Sequence, residues 1–212
     1  MKNVKIILVV VLSIFFSVAQ AQTEAPKGFK KGTLILSDNS SVTGNIKDQI
    51  RNNASVIFIS ETGGKKKNYD GSDLISAEID GTKYLCIKGD FFRVISYGGL
   101  SYLQKSSDAS GKPSYNGNEA IFISGTEGKP GDYFIYDNSN KQLKWVSKKN
   151  FNEVTAAAFA GNVAAINKVK TVNGDISQLK EAVEIYNNRN NDIIGFTVPI
   201  RRPIRGHVDI TT

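Results

Sequence analysis

Five carboxylates fall within a short stretch of the chain: Asp70, Asp73, Glu78, Asp80 and Asp90. Two acids placed to share proton-donor and proton-acceptor roles are what glycoside hydrolysis needs. This stretch is therefore where a hydrolase acting on cell-wall or polysaccharide substrates would carry its catalysts. Each of the five, however, neighbours a turn or a glycine, where carboxylates are ordinarily solvated. A nucleophile with a histidine base is harder still to assemble. The lone histidine, His207, lies near the C-terminus, and without cysteine or histidine partners it makes no zinc site. The lone cysteine, Cys86, sits in the apolar run Tyr84-Leu85-Cys86-Ile87. A thiol there is structural, because activation needs an electropositive and partly exposed setting, and one cysteine leaves no intramolecular disulfide. Asp137-Asn138-Ser139-Asn140 is oxygen-rich like the start of a calcium loop but lacks the glycine and the downstream bidentate glutamate that complete one, so it reads as a hairpin turn. The sequence calls for no cofactor and no metal.

Residues that could bind rather than react are of three kinds. Lys65-Lys66-Lys67 follows two glycines at an expected hairpin tip; it could contact phosphate or an anionic polysaccharide, or it could be a solvated turn whose charges discourage edge-to-edge pairing of strands. Most aromatic residues fall in strand-like runs and belong to a core. Tyr102 and Tyr115, beside and inside a polar stretch, are the ones that could stack on a sugar. The last kind is the repeated Pro-Ile-Arg at 199–201 and 203–205. Pro199 and Pro203 exclude a regular helix and disfavour a central strand, which leaves an extended segment with Ile200 and Ile204 pointing one way. With Ile194, Phe196 and Val198 ahead of it, the segment reads as a strap that packs on the body, with Arg201, Arg202 and Arg205 available to a partner at its rim.

The elements that must position these residues are mainly strands. In "GTLILSDNSSVTGNIKD" an apolar run, a turn and a period-two run predict strand, turn, strand. "ASVIFISETGGKKKNY" repeats the pattern around Gly63-Gly64, and "LISAEIDGTKYLCIK" places Asp80-Gly81, a strong hairpin signal, between two apolar runs. Further strands are expected at 91–97, 100–104, 120–124, 133–137 and 143–146, and the Ser-, Gly-, Asn- and Lys-rich stretch 105–118 reads as a long loop. Several strands carry apolar residues on both faces, Phe134 and Tyr136 alternating with Tyr133 and Ile135, so they should be covered on both sides. Near Ser147 the period changes. Asn150 stands three residues before Glu153 in capping-box spacing, Gly161-Asn162 divides the apolar run that follows, and Asp175 with Gln178 caps a helix whose Ile176, Leu179, Val183 and Tyr186 share a face.

The first residues, "MKNVKIILVVVLSIFFSVAQAQ", combine a basic start, a short apolar run and Ala19-Gln20-Ala21, the three parts of a secretory leader cut after Ala21. The apolar run is too short to span a bilayer, and no cysteine near the cut could carry a lipid. Of 27 basic residues against 20 acidic ones, cleavage removes Lys2 and Lys5 and leaves an excess of five positive charges. An excess that mild, spread along the chain, does not argue for nucleic acid.

Gly32, Leu34-Ile35, a turn, then Val42, Gly44 and Ile46 resemble the opening strand pair of an uncharacterised family of exported β-rich proteins of Bacteroidota. "LKWVSKKNF" and "LKEAVEIYNN" resemble that family's closing strand and helices. The resemblance implies a periplasmic or outer-envelope protein and carries over no catalytic residue. Here Ser40-Ser41 stands in place of the family's Gly-Asp-Thr turn, and Gly161-Asn162 in place of its Cys-Pro pair.

The expected organisation is a leader over 1–21, a polar lead-in over 22–31, one β-rich domain over 32–190 with helices at about 148–189, and an extended tail over 191–212. The fold class is α+β, an antiparallel curled sheet or partial barrel or roll followed by two or three helices. The expected function is a non-enzymatic exported module of the periplasm or cell envelope that binds an envelope protein or polysaccharide or serves structurally, without a transmembrane helix after cleavage. The alternatives are the hydrolase above, which needs two of its acids in one pocket, and a carrier of small apolar ligands, which needs an open aromatic-lined cavity inside the curl.

Overall fold

The computed structural model describes residues 25–116 and 119–193; the leader and most of the tail, Arg201, Arg202 and Arg205 included, lie outside the described residues. Strands β1 (Lys30–Leu36), β2 (Ser41–Gln49), β3 (Ser55–Ser60), β4 (Lys67–Asp70), β5 (Leu74–Ile79), β6 (Thr82–Ile87), β7 (Asp90–Ser96), β8 (Leu100–Lys105), β11 (Tyr133–Asp137) and β12 (Gln142–Val146) form one antiparallel ten-stranded sheet. Their order is β12-β11-β8-β7-β6-β5-β1-β2-β3-β4, and the sheet is not closed. A short helix α1 (Ile50–Asn53) joins β2 to β3, and helices α2 (Phe151–Ala158), α3 (Val163–Thr171) and α4 (Lys180–Ile193) follow the last strand. This is the expected α+β arrangement of a curled antiparallel sheet with C-terminal helices. Among the described residues no helix is long and apolar enough to cross a membrane.

The curl comes from the N-terminal strands. Gly32 and Gly44 face each other across β1 and β2, and a Cβ on either would fall 2.2 Å from the Glu78 carbonyl oxygen or 2.4 Å from that of Ile59. Only a residue without a side chain allows adjacent backbones to bend together so closely. The bend carries the end of β4 round to the β6–β7 turn, where Gly71 and Gly89 form a single bridge. Leu34, Ile46, Val56 and Phe91 fill the space inside and are fully buried. At about 1.5–3 kcal/mol for each large apolar side chain removed from water, this packed interior is a stabilising core. It is not the open cavity that a carrier of apolar ligands requires.

The C-terminal half is covered from both sides, as the two-faced strands predict. On one face Tyr102, Ile135 and Val146 meet Phe159, Leu179 and Val183 of the helical layer. On the other, Phe92, Leu103 and Phe134 pack together, with the Phe92 and Phe134 rings edge to face at 5.1 Å. Strand β7 separates the regions: Phe91 enters the curl and Phe92, one residue on, points to the opposite face. Asp80 and Gly81 have φ of 51° and 75°, the paired positive values of a tight two-residue hairpin turn. Lys88 and Gly89 repeat that geometry between β6 and β7, with φ of 51° and 85°.

Two local expectations are corrected. The stretch 105–118 is not a plain loop: β9 (Pro113–Asn116) pairs with β10 (Glu119–Phe122) in a separate hairpin. Asn150 precedes α2 but makes no side-chain bond to the helix backbone; its side-chain Oδ1 accepts from Ser147 N at 2.7 Å and from the Ser147 hydroxyl at 3.0 Å. The division at Gly161-Asn162 is as expected, with Asn162 Oδ1 accepting from Ala165 N at 3.0 Å to cap α3. Asp175 caps a 3₁₀ turn at Ile176–Gln178, ahead of α4, through Ser177 N and the Gln178 amide.

Candidate binding site

Alternation along β7 and β8 sends Asp90 and Lys105 to the same face as Phe92 and Leu103, at the end of the sheet where the chain crosses over it. Both side chains are fully buried and meet at 3.1 Å. Asp90 Oδ1 accepts from Ala109 N at 2.7 Å and from the Ser107 hydroxyl at 3.3 Å. Its Oδ2 accepts from Thr126 N at 2.8 Å and the Thr126 hydroxyl at 2.7 Å. Lys105 Nζ donates to the carbonyls of Thr126, Glu127 and Gly128 at 2.8, 3.3 and 3.1 Å. Asp90 is thus the exception to the expectation that the acids of this stretch are solvated: it is sealed in a clamp whose donors and acceptors all match a charged pair.

The clamp holds the chain on both sides of the β9–β10 hairpin. Ser107 and Ala109 belong to the segment entering it and Thr126 to Gly128 to the segment leaving it. The two segments also bond to each other, Gly111 N to Ile123 O and Ile123 N to Lys112 O, both at 2.9 Å. Beyond this base the hairpin stands outside the main sheet, and Phe122 is 70% exposed.

The open face of the sheet carries two adjoining depressions that share Thr82. The wider, about 520 Å³, lies among Gly81, Lys83, Arg93, Ile95, Tyr133 and Ser177. Gln104 accepts from Arg93 Nη2 at 2.7 Å and itself donates to the Gly131 carbonyl at 3.1 Å, so the guanidinium is held by a neutral chain of partners. The narrower, about 230 Å³, gathers Lys30, Lys47, Asp48, Asp80 and Tyr84. Lys30 donates to Asp80 at 2.5 Å, and that bond with the Asp80 charge raises the Lys30 pKa above its ordinary value. Burial, aided by the Asp48 charge, raises the Tyr84 hydroxyl, which Arg93 and Lys30 partly oppose.

The other residues singled out from sequence are dispersed. Lys65 and Lys66 lie in the exposed turn before β4 and Lys67 opens that strand, the last in the sheet order. Lys67 Nζ sits 4.5 Å from the Tyr69 ring centre and Lys66 Nζ 5.8 Å from that of Phe29, an arrangement of edge charges covering apolar surface. Tyr102 has no exposed face. It stacks on Tyr133 at 5.4 Å beneath the helices, its hydroxyl donates to the Ile176 carbonyl, and desolvation pushes its pKa up. A sugar cannot reach that ring, so its role is in the core. Tyr115 lies in β9 opposite Ala120; its side chain is outside the described residues. Cys86 is half-buried and desolvation pushes its thiol up, away from the reactive thiolate. Of the five acids, Asp80 alone lines either of these two depressions, where its neighbouring acid is Asp48 from β2. Asp70 and Asp73 share one turn through an Asp70 N to Asp73 Oδ2 bond of 2.9 Å, and Glu78 stands on the exposed surface 3.8 Å from Lys83. Among the described residues no cluster of metal-ligating side chains forms.

Sequence reasoning missed the clamp and Arg93. Compared with protein-family models, with curated proteins and with solved structures, the chain matches none.

Proposed function

We propose that the protein is a non-enzymatic, exported module of the cell envelope that recognises another envelope component through the β9–β10 hairpin. The leader-like start supports export. The clamp carries the reading of the hairpin. A buried ion pair gains little stability over a well-packed apolar pair of the same volume, because desolvation of both charges offsets their attraction. What it adds is a single defined arrangement, here of the two chain segments that bear an outward hairpin with an exposed phenylalanine. Binding residues are commonly carried on connections that a rigid scaffold positions in this way.

The test is to remove the hairpin and keep its base. Because Lys112 O and Ile123 N are hydrogen-bonded at 2.9 Å, residues 113–122 can be replaced by an Asn-Gly turn. The intact chain, freed of its leader, is expected to enrich a defined envelope protein or polysaccharide from envelope extract. The trimmed chain should lose that enrichment while melting at nearly the same temperature. Equal capture by both chains, or none by the intact one, would overturn the reading.

A further inference from the structure

We infer that the wider depression on the open sheet face is a binding site for an acidic saccharide, whose carboxylate or phosphate group is seated on Arg93. None of the residues lining the depression belongs to the β9–β10 hairpin, so the inference stands apart from the proposed function above.

Arg93 supplies the first argument. Its side chain is exposed, yet it is oriented: Nη2 donates to Gln104 Oε1 at 2.7 Å, and the Gln104 amide is in turn fixed on the Gly131 carbonyl at 3.1 Å. An arginine held by a carboxylate has its charge satisfied; one held by a neutral amide keeps it for a ligand. Among the described residues no carboxylate lies within ion-pair distance of Arg93. The planar guanidinium then presents its remaining donors as a fork suited to a carboxylate or phosphate. Lys83 borders the same depression, but its register opposite Glu78 turns its side chain to the other sheet face, where the two meet at 3.8 Å. No acidic side chain lines the depression, so Arg93 is its one oriented charge among the described residues.

Shape and lining identify the rest of the ligand. A volume of about 520 Å³ falls within the ~300–1,000 Å³ of small-ligand sites and has room for a short saccharide. Thr82 contributes a hydroxyl group, Ser177 an oxygen whose own proton is given to Asp175 at 2.7 Å, and Tyr133 an aromatic ring backed by Tyr102, a combination suited to a polyhydroxylated ring with one apolar face. An acidic peptide is less well served. Extended peptides gain affinity by adding a strand to a sheet edge, and β6 and β7 are interior strands, paired with each other as far as Tyr84 and Arg93 and with β5 and β8 on their other sides.

The experiment titrates the leader-free protein with four probes, an oligogalacturonate, a neutral oligosaccharide of the same length, inorganic phosphate and an oligoglutamate, and follows binding by calorimetry. The oligogalacturonate is expected to bind saturably, more weakly as ionic strength rises, and the neutral sugar about tenfold more weakly or worse. Arg93→Gln should weaken the acidic sugar by about tenfold while leaving the melting temperature unchanged, since the side chain is exposed. Gln104→Met, which frees the guanidinium without removing it, should give an intermediate loss. Equal binding by wild type and Arg93→Gln, or no binding of the oligogalacturonate, would overturn the inference. Phosphate binding without sugar binding would reassign the site to a free anion, and equal binding of oligoglutamate would reassign it to peptide; either overturns the saccharide.

Discussion

Lys30 and Asp80 meet at 2.5 Å with 61% and 62% of their side chains exposed, whereas Lys105 and Asp90 meet at 3.1 Å with neither in contact with solvent. The residue types are identical and the surface pair is the shorter, yet the two regions are built on opposite principles. Around Lys30 the sheet face is open, and both charges keep most of their hydration. Around Lys105 the crossing chain replaces water with three carbonyls for the ammonium, and two backbone amides and two hydroxyls for the carboxylate. The length of an ion pair therefore says little about its worth. The partners that remain when one member is removed decide it.

That contrast is broken most directly at the clamp. Asp90→Ala would leave an ammonium in a dry site, and Lys105→Met a carboxylate; each is expected to destabilise the fold by about 3–5 kcal/mol, read from denaturant melts. The double variant Asp90→Leu with Lys105→Met should lose less than the sum of the two, because no orphaned charge remains. Additive losses would mean that the pair does not act as a unit. A neutral counterpart lies on the other face, where the Asn187 amide of α4 bonds both backbone groups of Leu100, accepting from its N at 3.0 Å and donating to its carbonyl at 2.9 Å. Asn187→Leu strands two buried backbone groups but no charge, so the expected loss is smaller, about 1–3 kcal/mol. If it equalled the clamp variants, charge would not be what sets the clamp apart.

What the sequence discloses follows the same line between apolar and polar devices. Alternation at Tyr133 to Tyr136 announces a strand covered on both faces, Asp80-Gly81 a tight turn and Gly161-Asn162 a helix break, because each is a local consequence of side-chain shape or backbone freedom. Strand β9 is hidden, since Pro113, Ser114 and Asn116 give no apolar alternation and it pairs only within its own hairpin. The clamp left a faint signal. Lys105 stands two residues after the inward-facing Leu103, and Asp90 two before Phe92, so period two puts a charge at an interior position of each strand. That the two meet depends on the register that sets Phe92 opposite Lys105, a non-local fact. Arg93 was hidden for the same reason, because its orientation rests on Gln104 across the strand pair and on Gly131 beyond it.

The smallest expected effect belongs to the surface pair. Lys30 has its pKa raised, first by the hydrogen bond to Asp80 and then by the Asp80 charge. A lysine whose folded pKa lies above its unfolded value of about 10.5 contributes fully below that value, and the contribution is lost as the pH rises through the folded pKa. The neutral range therefore lies wholly on the plateau, where the pair adds no pH dependence, and solvent and salt screen what remains. Lys30→Ala should leave the melting temperature within experimental scatter at physiological ionic strength, with any difference from wild type fading as salt is added. A loss approaching that of Lys105→Met would show that the open face is held together by its charges. Lys30 would then be part of the scaffold rather than a solvated residue lining the narrower depression.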